Sequence, residues 1–166
     1  AGQAFSCRIC NGETFMPLNL RHHPFANDLV TSTLDPVKIY PLALLICRSC
    51  SAAQLSYCAD DAELYSDYNY ITPDSQELKT HYGQITAFLK DNGYLNKSSD
   101  VLEIGSNIGR FLGFLKPHVN SILGVDPAEN IAEMANNNGI STVNDFFNAA
   151  SAEKILKESG RKDMII

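Results

Sequence analysis

Apolar and polar positions change rhythm twice along this chain. Up to about residue 60 they keep no steady period, and short apolar runs alternate with turn-forming residues. Ile39-Tyr-Pro-Leu-Ala-Leu-Leu-Ile46 leads straight into Cys47-Arg-Ser-Cys50 and is followed by Ala52-Ala-Gln-Leu-Ser-Tyr57. Runs of that length predict strand, knuckle, strand. Residues 61–72 form a connector carrying Tyr65, Tyr68 and Tyr70. Thr72-Pro73-Asp74 then reads as a helix start, with a cap residue, Pro at the first position and an acid in the first turn. Leu78, Tyr82, Ile85 and Leu89 recur at three- and four-residue spacing before Asn92-Gly93 ends the helix. That helix is expected to bridge two domains.

From residue 100 the period alternates between strand and helix. Val101–Ile104, Ser121–Val125, Ser141–Val143 and Asp163–Ile166 read as strands. Arg110–Lys116, closed by Pro117, and Ala128–Asn138 and Ala152–Ser159, each followed by glycine, read as helices. A βαβαβαβ series predicts a parallel, doubly wound α/β sheet. The expected organisation is a domain over 1–60, a connector and helix over 61–95, and a Rossmann-like domain over 96–166. A parallel sheet buries both faces, so an apolar last strand implies that these residues are the first part of a longer chain.

Charge and composition narrow the partners. The net charge is −6, and the 13 basic residues are scattered rather than gathered in a stripe, which argues against nucleic acid. No apolar run approaches the roughly 18 residues of a membrane span, and the first residues lack the pattern of a secretory signal. A cytoplasmic protein without a membrane partner is expected.

Four of the five cysteines stand as two CRxC turns, Cys7-Arg-Ile-Cys10 and Cys47-Arg-Ser-Cys50. A CxxC turn delivers two thiolates from one tight loop, and two such turns complete a tetrahedral zinc shell. Cys7, Cys10, Cys47 and Cys50 are the expected ligands of a structural Zn²⁺. A closed shell of four thiolates leaves no position for substrate. Arg8 and Arg48 offset the net −2 of such a site. A dithiol redox couple is the competing reading, although it needs one CxxC at a helix start beside a thioredoxin-like sheet. Cys58 is left over and reads as a small buried hydrophobe. His22 and His23 read as loop or packing residues.

A glycine turn lies between the first parallel strand and its helix, in Val101-Leu-Glu-Ile-Gly-Ser-Asn-Ile-Gly-Arg110. A dinucleotide fingerprint would need glycine at 105, 107 and 110, and only Gly105 satisfies it. Glu103, Gly105 and Gly109 instead form acid-x-Gly-x-x-x-Gly, which resembles motif I of the S-adenosylmethionine-dependent methyltransferases. Asp126, in Gly124-Val-Asp-Pro127, follows Gly105 by about the 20 residues expected of an acid that accepts from ribose hydroxyls. Asp145 and Phe147 offer a polar group and an aromatic face for adenine, with core packing as the alternative for the Phe146-Phe147 pair. The cofactor set is Glu103, Gly105, Asn107, Gly109, Asp126, Pro127, Asp145 and Phe147.

Taken in order, the CRxC pair, His23-Pro-Phe-Ala-Asn27, the tyrosine connector, Glu103–Asn107, Gly124–Pro127 with Asn130-Ile-Ala132, and Phe146-Phe147 resemble the sugar C-methyltransferase family. The resemblance implies an N-terminal zinc-binding domain, a methyltransferase domain that uses S-adenosylmethionine, and a further domain. It also implies a nucleotide-linked 4-keto-deoxysugar methylated beside the ketone. Tyr70, with Tyr68 as neighbour, matches the family's active-site tyrosine, while Tyr65 reads as an anchor of the connector. The family usually has Asp where this chain has Ile108, and often Glu where it has Asp126. Two other classes remain open from the residues: a non-catalytic zinc and Rossmann binding module, and an NAD(P)-dependent sugar enzyme.

Overall fold

The computed structural model describes residues 5–26, 29–65 and 68–166. Asn27, Ser66 and Asp67, which the sequence reading placed in a family segment and the connector, lie outside the described residues. The chain divides into two compact units, Ala1–Leu64 and Tyr65–Ile166, so the division falls inside the expected connector.

The first unit is an antiparallel sheet in the order β1-β2-β3, with β1 Thr14–His23, β2 Tyr40–Cys47 and β3 Ala53–Leu55. Along β2 the positions 43, 45 and 47 are buried, the period of two that a one-sided core demands. A short helix, α1 Asp61–Tyr65, follows. The sequence reading missed β1, and two register shifts explain why. One lies between Phe15 and Leu18, where Pro17 sits, and the other between Asn19 and His22, where Arg21 takes a φ of 70°. Bulges on an edge strand accommodate a proline and also erase the simple alternation by which a strand is recognised.

In the second unit α2 Gln76–Asp91 precedes β4 Asp100–Ile104, α3 Arg110–Leu115, a 3-10 turn Lys116–His118, β5 Ser121–Asp126, α4 Glu129–Asn137, β6 Thr142–Asn144, α5 Ala149–Ser159 and β7 Met164–Ile165. The sheet order is β6-β5-β4-β7, and every pairing is parallel. The chain therefore leaves β4 on one side, builds β5 and β6, and returns to the other side as β7. Such a reversal opens a crevice at the C-terminal end of β4, where doubly wound sheets hold ligands.

Helix α2 starts three residues later than the Thr72-Pro73 cap predicts. The Ser75 hydroxyl accepts the Leu78 N–H at 3.2 Å and acts as the cap. Thr72 is unavailable, because its N–H and carbonyl are both bonded elsewhere in the unit. Tyr82, Ile85 and Leu89 lie against the core formed by Val101, Leu112, Leu115 and Leu95, so α2 is a wall of the second unit. Helix α5 begins earlier than predicted, at Ala149, because Asn148 and Ser151 form a capping box.

Gly109 fixes the packing of the glycine turn. Its φ is 73°, and a Cβ there would stand 2.4 Å from Ile140 Cγ2. Strain and overlap together should cost Gly109→Ala about 2–4 kcal/mol of stability in urea titration.

Candidate functional site

Each cysteine knuckle is built the same way. The Cys7 carbonyl accepts from Asn11 N–H at 2.9 Å and the Cys47 carbonyl from Ser51 N–H at 3.1 Å. Asn11 and Ser51 both turn left-handed, at φ 59° and 61°. The backbone so folded aims N–H groups at the first sulfur of each pair: Ile9 at Cys7 Sγ, 3.4 Å, and Ser49 and Cys50 at Cys47 Sγ, 3.3 and 3.4 Å. These donors favour thiolate. The Cys50 N–H, ahead of the others, brings Cys47 down to about 6, and the N–H groups of Cys10 and Ile9 lower Cys7.

The four Sγ atoms lie within 4.8 Å of one another, with Cys10–Cys47 at 3.5 Å and Cys7–Cys50 at 3.7 Å. A tetrahedron with Zn–S bonds of about 2.3 Å has S···S edges of roughly 3.75 Å, so the donor set fits the ion. A disulfide would need about 2.05 Å, and the four are free thiols. Without a cation they cannot all ionise. The Ala52 N–H lowers Cys50, but its thiol contacts with Cys10 and Cys47 outweigh this and push it up to about 12. Arg48 lies over the Phe15 ring at 4.7 Å and 3.7 Å from Glu13, so its charge also serves the sheet edge. His22 and His23 end β1, with the His23 ring on the Leu20 carbonyl at 2.7 Å. Cys58 departs from its predicted burial: it is exposed on the wall of a cavity of about 340 Å³ beside Phe25, Tyr40 and Tyr57.

In the second unit the glycine turn sits at the C-terminal end of β4. Gly105 has a φ of 68° and open space where a Cβ would stand. Its N–H and that of Ser106 bond the Val125 carbonyl at 2.8 and 3.2 Å, which ties the turn to the end of β5. Asp126 is buried, at 7% exposure. Its Oδ2 accepts the Asn107 N–H at 2.9 Å and its Oδ1 the Ala128 N–H at 3.0 Å. Pro127 follows, and its carbonyl accepts from the Asn144 amide at 2.9 Å.

Glu103 lies two residues before Gly105, and its Oε2 is buried with no partner. Burial raises its carboxyl to about 7, opposed by the Leu112 N–H. Burial first, then the charges of Glu103 and Tyr70, raise Tyr82, while Arg110 lowers it. Glu103, Tyr70, Tyr82 and Arg110 thus share one electrostatic neighbourhood. Tyr82 and Arg110 were missed as site residues. Tyr82 matched the core face of a helix and Arg110 failed a glycine pattern, so neither carried a signal of its own.

The predicted residues fall into groups. Glu103, Gly105, Asn107, Gly109, Asp126 and Pro127 gather at the glycine turn and the end of β5. Asp145 is half-buried just after β6. Phe147 borders a hollow with Leu102, Ile155, Leu156 and Ile165 beside β7. The Tyr68 backbone meets the Asn130 amide, and its ring packs with Ile108, Ala128 and Ile131. Tyr70 is half exposed, at 49%. No helix among the described residues is long and apolar enough to cross a membrane.

Two outcomes follow from this geometry. Elemental analysis should give one zinc per chain, and chelation should abolish the amide signals of β1–β3. Glu103 prefers its proton in the folded chain, so its stabilisation is complete below the unfolded value of 4.5 and is lost as pH rises through about 7. Stability should fall by on the order of 2–3 kcal/mol across that window, and Glu103→Gln should flatten the slope in denaturation at several pH values.

Comparison with known proteins places these features. Residues 7–65 match a family model described as "Putative zinc binding domain". The chain is 27% identical over 157 residues, 93% of its length, to C-methyltransferase NovU of Streptomyces niveus, and spans 37% of that relative's length. Magnesium protoporphyrin IX methyltransferase of Synechocystis PCC 6803, solved with bound S-adenosylmethionine, matches 53% of this chain and 42% of its own at 13% identity and a TM-score of 0.38. Phosphoethanolamine N-methyltransferase 1 of Haemonchus contortus matches 46% of this chain and 16% of its own at 23% identity and a TM-score of 0.34. Residues 7–65 are therefore similar to that zinc-binding-domain family, and over 157 residues the chain is similar to a C-methyltransferase.

Proposed function

We propose that this chain carries the zinc-stapled and methyl-donor-binding portion of an S-adenosylmethionine-dependent C-methyltransferase whose acceptor is a nucleotide-linked keto-deoxysugar. The observation that carries the reading is the dry Oε2 of Glu103, which has no hydrogen-bond partner, beside the open Gly105. Burial drives a carboxyl with an unbonded oxygen toward its neutral form, and a cation brought to that oxygen restores the charged form. S-adenosylmethionine brings an ammonium and a sulfonium, whereas a dinucleotide brings a pyrophosphate that Glu103 would repel. The broken GxGxxG points the same way, which sets the NAD(P) reading aside. The similarity to a C-methyltransferase supports methyl transfer over a purely binding role.

When bound, S-adenosylmethionine would supply a methyl group already activated for attack by carbon. The chain's own residues do the rest. Asp126 retains lone pairs on both oxygens beyond its two backbone bonds, and these suit ribose hydroxyls. Glu103 balances the ammonium, while Gly105 leaves the backbone bare for close approach. Asp145 and Phe147 are the candidates for the adenine. Carbon methylation beside a ketone removes a proton from the α-carbon and passes through an enolate. The Tyr70 hydroxyl, with Tyr68 beside it, would hold or move the proton at the enolate oxygen or the α-carbon. The four-thiolate cluster takes no part in the chemistry, because a closed shell offers no open position.

Calorimetry with S-adenosylhomocysteine on the intact protein tests the reading. Asp126→Ala should weaken binding by roughly tenfold or more, the loss of a charge-assisted pair of hydrogen bonds. Tyr70→Phe should leave that affinity within about threefold while cutting turnover on a keto-sugar by roughly a hundredfold or more. Normal turnover in Tyr70→Phe would remove the tyrosine from the mechanism, and unchanged affinity in Asp126→Ala would remove the ribose role.

A further inference from the structure

Asn107 stands where a dinucleotide site would place its second glycine, and it keeps the left-handed backbone, with φ at 50°. Among residues with a side chain, asparagine tolerates that region best. Its backbone N–H is already committed to Asp126. Its side-chain amide is spent on the tyrosine connector: Nδ2 donates to the Tyr70 carbonyl at 2.9 Å, and Oδ1 accepts the Thr72 N–H at 2.8 Å. Donating to the carbonyl of one residue and accepting from the N–H two further on is how a parallel β-strand bonds its neighbour. The Asn107 amide thus imitates one strand residue against Ile71.

Neighbouring groups reinforce the same segment. Arg110 Nε donates to the Thr72 carbonyl at 2.7 Å, and its guanidinium lies 3.4 Å from Asp74. Asn130 Nδ2 donates to the Tyr68 carbonyl at 3.1 Å. The described residues of the connector pair with no strand, and these side chains satisfy its backbone instead.

We propose that Asn107 is a positioning residue that locks the Tyr68–Thr72 segment to the glycine turn, so that the methyl-donor site and the acid/base tyrosine are set by one residue. The functional half of this rests on the reading of Asp126 and Tyr70 above. Through its backbone Asn107 senses Asp126, and through its side chain it fixes the Tyr70 main chain. A disturbance at either side reaches the other across a single residue.

Asn107→Gly separates the two roles, because glycine keeps the left-handed φ and the N–H to Asp126 while losing the amide. Asn107→Asp keeps the acceptor for Thr72 and loses the donor to Tyr70. In the intact, zinc-loaded protein, amide hydrogen exchange should show Thr72 exchanging roughly five- to tenfold faster in Asn107→Gly, and part of the protection restored in Asn107→Asp. The Gly105 amide, bonded to Val125, should be unchanged. Steady-state kinetics should show kcat down by roughly tenfold or more in Asn107→Gly, with KM for S-adenosylmethionine within about threefold. Unchanged Thr72 exchange in Asn107→Gly overturns the lock, as does a kcat equal to that of the unmodified protein. If the unmodified protein neither binds S-adenosylhomocysteine nor turns over, the functional reading fails, and the exchange data alone then uphold or overturn the lock.

Discussion

The second unit turns on one carboxylate. Asp126 ends β5, yet its two oxygens receive N–H groups from the turn after β4 and from the entry to α4. The turn after β4, the end of β5 and the entry to α4 are tied at a point that is almost fully dry. A charged acceptor makes stronger hydrogen bonds than a neutral one, and burial raises the cost of leaving any of them unmade. The left-handed turn at Asn107 and the start of α4 at Ala128 both meet at this point. The connector is bonded to the same turn.

The legibility of the fold followed the strength of the period. Val101–Ile104 and the Ser121 strand lie in a sheet against which α4 packs, and there apolar pattern and burial coincide. β1 was illegible, because Pro17 and Arg21 interrupt its alternation at two bulges and most of its side chains are exposed. The true cap of α2 at Ser75 was hidden behind a more conventional Thr-Pro-Asp signal. Only the fold shows that Thr72 is already engaged by Asn107 and Arg110. At the site, residue types that announce chemistry through spacing were readable: four cysteines, two glycines and two acids. Residues that act through a bond to a distant backbone, such as Asn107 and Asn130, had no local pattern to give them away. The amide of Asn107, taken from the sequence as a cofactor contact, is occupied by the connector.

The thiol cluster and Glu103 show burial, which raises each of these groups, meeting different sets of hydrogen-bond donors. In the cluster, backbone N–H groups bias the first cysteine of each knuckle toward thiolate, and the second cysteine of the later knuckle is driven the other way by its neighbours. Glu103 has no comparable set of donors and holds its proton instead. One site is prepared for a dication and is complete once it is filled. The other is a single charge, adjustable by whatever cation approaches it.

The two knuckles also dictate an order of assembly. Each pair of sulfurs is local, formed by a turn of a few residues that closes on itself through the Asn11 and Ser51 bonds. The cross contacts that complete the tetrahedron join residues 37 and 43 positions apart. Closing a loop of that size carries an entropic cost that grows only with the logarithm of its length, and the β1–β2 pairing bears it by setting Thr14 opposite Cys47. Each knuckle on its own is a bidentate chelator. Zinc in excess over an unfolded chain can load both separately, leaving two half-filled ions where one shared ion is needed. The stoichiometry of metal during folding, and not its affinity alone, thereby selects between a stapled unit and a pair of occupied but unjoined turns.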